Sequence, residues 1–581
     1  MRLDLREWFE EMAIKNQKIV ADFETTTTKE DVRVWAVCAV DIDTLETVHI
    51  GNSLHDFMEW LSNRNTVCYF HNLKFDGEFI LHYLLTHGFR YSEKRAPMTF
   101  DTLITDDGAF YSITVYFQCL NKKYKKVTFY DSLKKLPFKV SVISKAFELE
   151  DQKLEIDYKA YRPVGHVLTE EERAYIVNDC RIVAQALKIQ FSQGLTKMTN
   201  ASDAMNGFKT IISRNQFERW FPVFPVELDA DIRRAYKGGF VYLNPKYRGQ
   251  RVLGGITLDV NSLYPSVMYY KMLPYGYPMY FEGEPKPDPD FPLFIVHMKC
   301  CFELKPGHLP TLQLKNNRRF VETEYLTTSQ TEEDNEPVEM FLTSVDYQLL
   351  LDHYEISDET YINGWKFKGA TGMFTEYIDH WMHIKETTTG ALRQLAKLML
   401  NSLYGKFATN PRAFKKCAYL DDKGIVRYEV IDTEAKAKKH GVPAPELRDP
   451  VYTAMGCFIT AYAREKTIRS AQAVYDRFIY ADTDSLHLVG QEVPEGLEVH
   501  PTHLGAWKNE GCFEDSKFLR AKTYMETVDG VTKVTCAGMP DNVKESVTYD
   551  NFESGATFFG KLMPRRYPGG IVLEESTFTI K

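Results

Sequence analysis

Ile479-Tyr480-Ala481-Asp482-Thr483-Asp484-Ser485 lies between two apolar runs of a 581-residue chain. From Phe478 to Leu488 the pattern reads as a hairpin with acids at its tip. Aspartates at a hairpin tip are usually turn formers, so this stretch alone decides nothing about chemistry. A second stretch changes its weight. Ile256-Thr257-Leu258-Asp259-Val260 is a buried-type strand that also ends in an acid, followed by Asn261-Ser262-Leu263-Tyr264-Pro265. If the two are neighbouring strands, Asp259 and Asp484 come within metal-bridging distance. Adjacent carboxylates are stable together when a hard cation offsets them.

Between these stretches, Gly390 to Phe407 is expected to be one strong helix. Arg393, Lys397, Asn401 and Tyr404 are spaced four, four and three apart and share one face, with Leu395, Leu398, Met399 and Leu403 on the other. A solvated cationic face would also give this pattern. The ending Asn401-Ser402-Leu403-Tyr404-Gly405 suits a nucleotide better, with cations for a triphosphate and a ring for base or sugar.

Near the N-terminus, Ile19-Val20-Ala21-Asp22-Phe23-Glu24-Thr25 is a strand whose two acids, at i and i+2, share a face. Tyr69-Phe70-His71-Asn72-Leu73-Lys74-Phe75-Asp76 adds a third acid, and a helix around Ala174 to Asp179 places Tyr175 and Asp179 on one face. Each fragment alone is ordinary. Together Asp22, Glu24, Asp76 and Asp179 can hold two Mg²⁺ or Mn²⁺ ions about 4 Å apart, with Tyr175 orienting a water.

The remaining composition sets bounds. The length implies several domains, since single cores stop growing at roughly 250–300 residues. The formal net charge of −9 does not favour a polyanionic partner, but acids concentrated at metal sites account for part of it. Basic groups are local, as in Lys122-Lys123-Tyr124-Lys125-Lys126 and Arg318-Arg319. Ten cysteines without a C-x-x-C are read as reduced thiols in a cytosolic setting. Met1 to Glu11 lacks a signal-peptide core, and no apolar run is long enough to span a membrane. The first 200 residues mix strands (Lys18 to Thr25, Val32 to Val40, Tyr111 to Leu120) with helices (Leu54 to Leu61, Glu170 to Phe191), an α/β pattern. Gly238 to Met268 reads as strand. The Pro-rich stretch Glu282 to Pro292, with alternating strands up to Phe320, reads as an inserted subdomain, and Thr409 to Pro450 as a second insertion. Strands are expected at Val531 to Ala537 and over the last forty residues, turning at Pro568-Gly569-Gly570.

The motifs, in order and spacing, resemble the family B DNA polymerases. The N-terminal segments are similar to the three motifs of their DEDD-class proofreading exonucleases. Asp259 to Pro265, Lys397 to Gly405 and Tyr480 to Ser485 are similar to motifs A, B and C. Lys522-Thr523-Tyr524 matches K-x-Y, and Tyr236-Lys237-Gly238-Gly239 matches Y-x-G-G. The resemblance spans the chain and is nearest to the protein-primed branch of small tailed phages of Bacillus.

It implies an α/β and α+β multidomain fold: an RNase H-like exonuclease (1–199), a palm in two parts (200–270 and 451–540), fingers (369–408), a thumb (541–581), and insertions TPR1 (271–368) and TPR2 (409–450). It further implies that Asp259 and Asp484 bind two ions with support from Asp482, and that Tyr264 gates against a ribose hydroxyl. Lys385, Arg393, Lys397, Asn401 and Tyr404 would hold the dNTP. Thr25, His71, Asn72, Phe75, Ser132, Leu133 and Tyr158 would hold a single-stranded 3′ end, with Lys153 at the scissile phosphate. Tyr236, Gly238, Gly239, Lys522 and Tyr524 would contact primer-template DNA. The expected protein is a monomer in a bacterial host's cytoplasm, using DNA, dNTPs and a terminal protein, and displacing strands without a clamp or helicase. The second insertion looks longer than usual for this branch, and the stretch after Lys522 shorter. Two other readings stay open: a relative using nucleic-acid primers, and a DNA-binding or packaging protein on a dead polymerase fold. The second is weakened because Asp22, Asp259 and Asp484 are all present.

Overall fold

The computed structural model describes residues 17–118, 124–313, 325–331 and 334–581. Met1–Glu11, Leu120, Lys122, Lys123, Arg318, Arg319 and Phe320 lie outside them. The described residues build three larger sheets of eight, seven and four strands and two separate hairpins.

The N-terminal unit is the eight-stranded mixed sheet. Its strand Gln17–Thr25 runs antiparallel to Val34–Asp41 and parallel to Thr66–Phe70. The period-2 alternation of a strand sorts its side chains between two layers. Ile19, Ala21 and Phe23 pack into the core shared with Leu73, Phe79 and Ile80 of helix Leu73–Thr86. Val20 faces the other way, with Ile176, Cys180 and Val183 of helix Glu170–Ser192. Asp22 and Glu24 continue the Val20 face, toward the helix that carries Tyr175 and Asp179. That helix starts at a capping box, Thr169 with Glu172.

The seven-stranded sheet runs in the order Val531–Cys536, Thr523–Val528, Trp507–Arg520, Arg251–Val260, Ser485–Val489, Phe478–Asp482 and Val241–Leu243. Its antiparallel register sets Asp259 opposite Ser485, one residue from Asp484. The four-stranded sheet, in the order Leu273–Glu282, Tyr354–Ala370, Leu293–Leu304 and Val338–Thr343, has its own core with helix Ser344–His353.

The two hairpins both dock on the N-terminal unit. Ala418 and Val426 of hairpin Lys415–Leu420/Val426–Ile431, and Ile571 of hairpin Thr557–Tyr567/Gly570–Thr579, join the core around Phe79 and Phe110. Arg566 bonds Glu78 at 2.8 Å while its guanidinium lies 4.8 Å from the Tyr428 ring, tying all three pieces together. Gly569 sits so close that a Cβ there would lie 2.1 Å from the Val32 carbonyl oxygen.

Several sequence expectations are corrected. Gly390 to Phe407 is not one helix: it breaks at Leu403 into Gly390–Ser402 and Tyr404–Phe407, which turns Tyr404 toward Tyr264. Gly238 to Met268 is strand only at Val241–Leu243 and Arg251–Val260; Leu263–Tyr270 is helical, entered through Ser262 in the left-handed region. Leu398 is half-buried, and Leu400 takes the buried place. Among the described residues, no helix is long and apolar enough to cross a membrane.

Candidate active sites

The first centre lies on the N-terminal sheet. Burial pushes the Asp22 carboxyl up to about 7, with the Asp179 charge adding to it. Burial likewise raises Glu24, reinforced by Asp22 and Asp179, and raises Asp76, reinforced by Asp22 and Glu24. The four acids therefore feel one another. Two cations act on them, Arg162 on Glu24 and Lys153 on both Asp22 and Glu24. Lys153 donates to Asp179 and, at 3.1 Å, to the Tyr175 hydroxyl; that hydroxyl also bonds Tyr158. The other Asp179 oxygen, Oδ1, is buried without a hydrogen-bond partner. Buried acids in excess of buried cations, with a carboxylate oxygen left unbonded, have the donor chemistry that Mg²⁺ or Mn²⁺ requires. Among the described residues no three His, Cys, Asp or Glu side chains converge into a ready-made metal cage. The acids fit such ions by donor type and electrostatics.

A cavity of about 1120 Å³ opens onto Glu24 and is lined by Thr25, Phe75 and Tyr158 on one side and by Leu562, Ile571 and Leu573 of the C-terminal hairpin on the other. Phe75 is half-buried and forms part of this wall. Asn72, in the left-handed region, precedes helix Leu73–Thr86, and its side chain is exposed. Ser132 is set into the wall. It is fully buried, donates to the Phe70 carbonyl and bonds His71 at 2.9 Å, while the other His71 nitrogen bonds the Phe138 carbonyl at 2.7 Å. Both side chains shape the wall. Asp131 organises the same corner: its Oδ1 accepts from Asn72 N and Leu133 N, both at 3.1 Å. The sequence reading missed it, because a strand-end aspartate carries no distinguishing signal.

The second centre sits on the seven-stranded sheet. Burial raises Asp259 to about 7, with Asp484 and Glu510 adding to it, and burial also raises Asp484. The backbone pins the pair, since Val260 N donates to Asp484 O at 2.8 Å. Asp482 is used differently. Lys522 Nζ reaches both its oxygens, at 2.9 and 3.0 Å, and Tyr480 OH donates to it at 3.2 Å. Thr483, at the tip with φ 60°, is held by its N–H on Phe240 O, and a Cβ on Gly239 would meet Thr483 Oγ1 at 2.6 Å. The Gly238-Gly239 turn therefore braces the acid hairpin. Arg464, bidentate to Asp346, holds that turn through the carbonyls of Lys237 and Gly238. Tyr524 stacks on Phe518 and lies against Tyr480.

A cavity of about 780 Å³ brings together Asp259, Asp484, Tyr264, Lys385, Arg393, Lys397, Asn401 and Tyr404. The separated sequence stripe and the acids thus face one space. Tyr264 stacks on Tyr404 at 3.9 Å, and burial, reinforced by the neighbouring Tyr404 hydroxyl, pushes the Tyr264 hydroxyl well above the usual phenol range. Lys385 Nζ bonds Ser262 Oγ at 2.9 Å, and Arg393 donates to the Lys385 carbonyl at 2.6 Å. Burial lowers the Lys385 and Lys397 ammonium groups, and their cationic neighbours lower them further. Cations that destabilise one another beside two acids make a site for a polyanion carrying its own metal. Lys508 and Glu510 complete this wall and were not foreseen, because an alternating charged strand resembles a solvated edge.

Comparison with known proteins agrees with this arrangement. The model of type B DNA polymerases, organellar and viral, matches residues 58–168 and 155–500. The chain is 47% identical over 580 residues to the DNA polymerase of Bacillus phage Nf, covering 96% of this chain and 99% of that one. It superposes with a TM-score of 0.90 on the phi29 DNA polymerase complexed with primer-template DNA and incoming nucleotide substrates, at 45% identity, covering 97% of this chain and 100% of that one. The TM-score is also 0.90, at 44% identity and the same coverage, for phi29 DNA polymerase complexed with single-stranded DNA. The chain belongs to the type B DNA polymerases of organelles and viruses. Relatives along its full length include DNA polymerases of phi29-type Bacillus phages, and its enzyme class is DNA-directed DNA polymerase. The exonuclease and palm, fingers and thumb architecture is that of this group.

Proposed function

We propose that the chain extends a primer at the Asp259–Asp484 centre and trims mismatched 3′ ends at the Asp22–Glu24–Asp76–Asp179 centre, using two Mg²⁺ or Mn²⁺ ions at each. The observation that carries this is the contrast between the two cavities: cations face acids in one, while apolar side chains, Phe75 and Tyr158 border Glu24 in the other. When bound, the ions would offset charge on the attacking and leaving oxygens of the phosphate. In the synthetic cavity Lys385, Arg393 and Lys397 neutralise the triphosphate, and Asn401 and Tyr404 position the nucleotide. Lys522 holds Asp482 out of the acid pair and, with Tyr524, the Tyr236 turn and its glycines, steadies primer and template. At the N-terminal centre Phe75 and Thr25 receive an unpaired end, Tyr158 and Lys153 hold the Tyr175 hydroxyl, and that hydroxyl orients the attacking water.

Tyr264, stacked on Tyr404, closes the cavity where a sugar 2′-hydroxyl would sit. Tyr264→Val is expected to raise ribonucleotide incorporation by at least about tenfold relative to dNTP. Unchanged sugar discrimination in single-nucleotide incorporation would remove the gate assignment.

We also propose protein priming, with a terminal protein supplying the first hydroxyl, followed by processive, strand-displacing copying of a linear phage genome in the host cytoplasm by a monomer. Full-length likeness to phi29-type polymerases supports it, as do the four-stranded sheet and the Lys415–Leu420/Val426–Ile431 hairpin, both inserted in the chain between Asp259 and Asp484. The test supplies dATP, Mg²⁺ and the protein encoded beside this one, with no oligonucleotide. Covalent labelling of that protein is expected; extension only from oligonucleotide primers would establish the nucleic-acid-primed alternative.

A further inference from the structure

Glu526 and His487 meet where sheet order alone would keep them apart. Strand Thr523–Val528 stands three places from Ser485–Val489, so at strand spacings of about 4.8 Å their backbones would lie about 14 Å apart in a flat sheet. Yet His487 Nδ1 donates to Glu526 Oε1 at 2.7 Å. The sheet must curl, with both side chains lying along its concave face. On the intervening strand Glu526 is opposite Ser516 and Thr257 is opposite Gly511, so that strand must bend as well for the two side chains to meet. Thr257 Oγ1 adds a longer contact to the same Glu526 oxygen at 3.5 Å.

The pair shares its face with the acid centre. His487 is opposite Thr257, and Thr257 and Asp259 are two apart on one strand. The His487 ring is almost fully buried against Tyr480, Phe518 and Tyr524, at 5.4, 5.4 and 5.1 Å. Tyr480 in turn accepts from Lys522 N at 2.8 Å and donates to Asp482. The pair therefore joins three strands: one with Asp259, one following Asp484, and one carrying Tyr524.

We propose that His487 and Glu526 are positioning residues for the primer strand, a hydrogen-bonded staple that fixes Lys522 and Tyr524 relative to Asp259 and Asp484. Neither touches substrate; they act through Tyr524 and Tyr480. This bond suits the role because losing the carboxylate leaves the Nδ1–H of the buried His487 ring unpaired, so the sheet has one favoured curvature. This deepens the reading of Lys522 and Tyr524 as primer contacts and rests on it.

The test uses the full chain with a primed template. His487→Phe keeps the ring packing and removes the donor, Glu526→Ala removes the acceptor, and His487→Asn returns an N–H near the Nδ1 position. His487→Phe and Glu526→Ala are expected to raise the KM for primed template about tenfold while moving the KM for dNTP less than about twofold. Single-strand degradation should stay unchanged, and His487→Asn should recover most of the primer affinity. Tyr524→Ala is run alongside. If Tyr524→Ala binds primer normally, the primer reading of that strand is wrong. If it loses primer affinity while His487→Phe and Glu526→Ala do not, or if His487→Asn fails to recover it, the staple is overturned.

Discussion

Asp484→Ala reduces primer extension at least about a thousandfold, roughly 4 kcal/mol of lost stabilisation, and leaves degradation of single strands within about twofold of the parent. The magnitude follows from what the side chain does. It is one of the two aspartates facing the cavity that also collects Lys385, Arg393 and Lys397. Without it, the remaining carboxylate cannot hold a pair of ions against the charge of a triphosphate. The specificity follows from the backbone. Residue 484 offers its carbonyl to Val260 N, residue 483 donates to Phe240 O, and Lys522 keeps Asp482, all independently of the Asp484 side chain. The hairpin should therefore stay in register. Burial and the Asp484 charge together hold the Asp259 carboxyl near 7, so removing Asp484 also eases Asp259 and should not unfold the sheet. Extension and degradation are measured on the same preparation, in Mg²⁺ and again in Mn²⁺. A matched loss of both activities would mean that one site, not two, carries the chemistry.

What the sequence made legible was local. A strand with acids at i and i+2 gives a shared face, and a helix with polar residues at three- and four-residue spacings gives a stripe. The structure has Asp22 and Glu24 on the Val20 face and the stripe lining one cavity. What stayed hidden was everything set by distant backbone. Lys508 and Glu510 join the acid cavity only because Trp507–Arg520 pairs with Arg251–Val260, a register no short window reveals. The break at Leu403 was hidden as well, since apolar periodicity runs through it without a proline or a strong stop. The bonds that set His71 and Ser132 in the wall were hidden too, because a sequence shows donors and acceptors but not which partners they take. The docking of the C-terminal hairpin beside Glu24 and Phe75 was equally invisible. Its strands alternate like any solvent-facing ribbon, and only the contacts of Ile571 and Arg566 show where it lands.

The complementary variant, Asp22→Ala with Glu24→Ala, is expected to lower 3′ trimming at least about a thousandfold while extension on a matched primer continues at the parent rate. It should not cost stability, and the sign can be worked out. Asp22 ionises in the unfolded chain near the ordinary 3.8 but in the folded chain only near 7, chiefly through burial. An acid raised in this way favours the folded state at low pH and opposes it increasingly as pH rises from about 4 through 7. Glu24 is raised for the same reason, with Asp22 itself as the next cause. At neutral pH and without divalent ions, both acids are therefore a strain on the fold. Replacing them with alanine should leave the Tm unchanged or raise it. Lys153 keeps its bonds to Asp179 and Tyr175, so the wall bearing the tyrosines persists. Two measurements decide the matter together: thermal melting in EDTA, and release of a labelled terminal nucleotide from single-stranded and mismatched primers. Trimming that survives the double substitution would remove these acids from the reaction, and a large fall in Tm would show that they hold the sheet rather than ions.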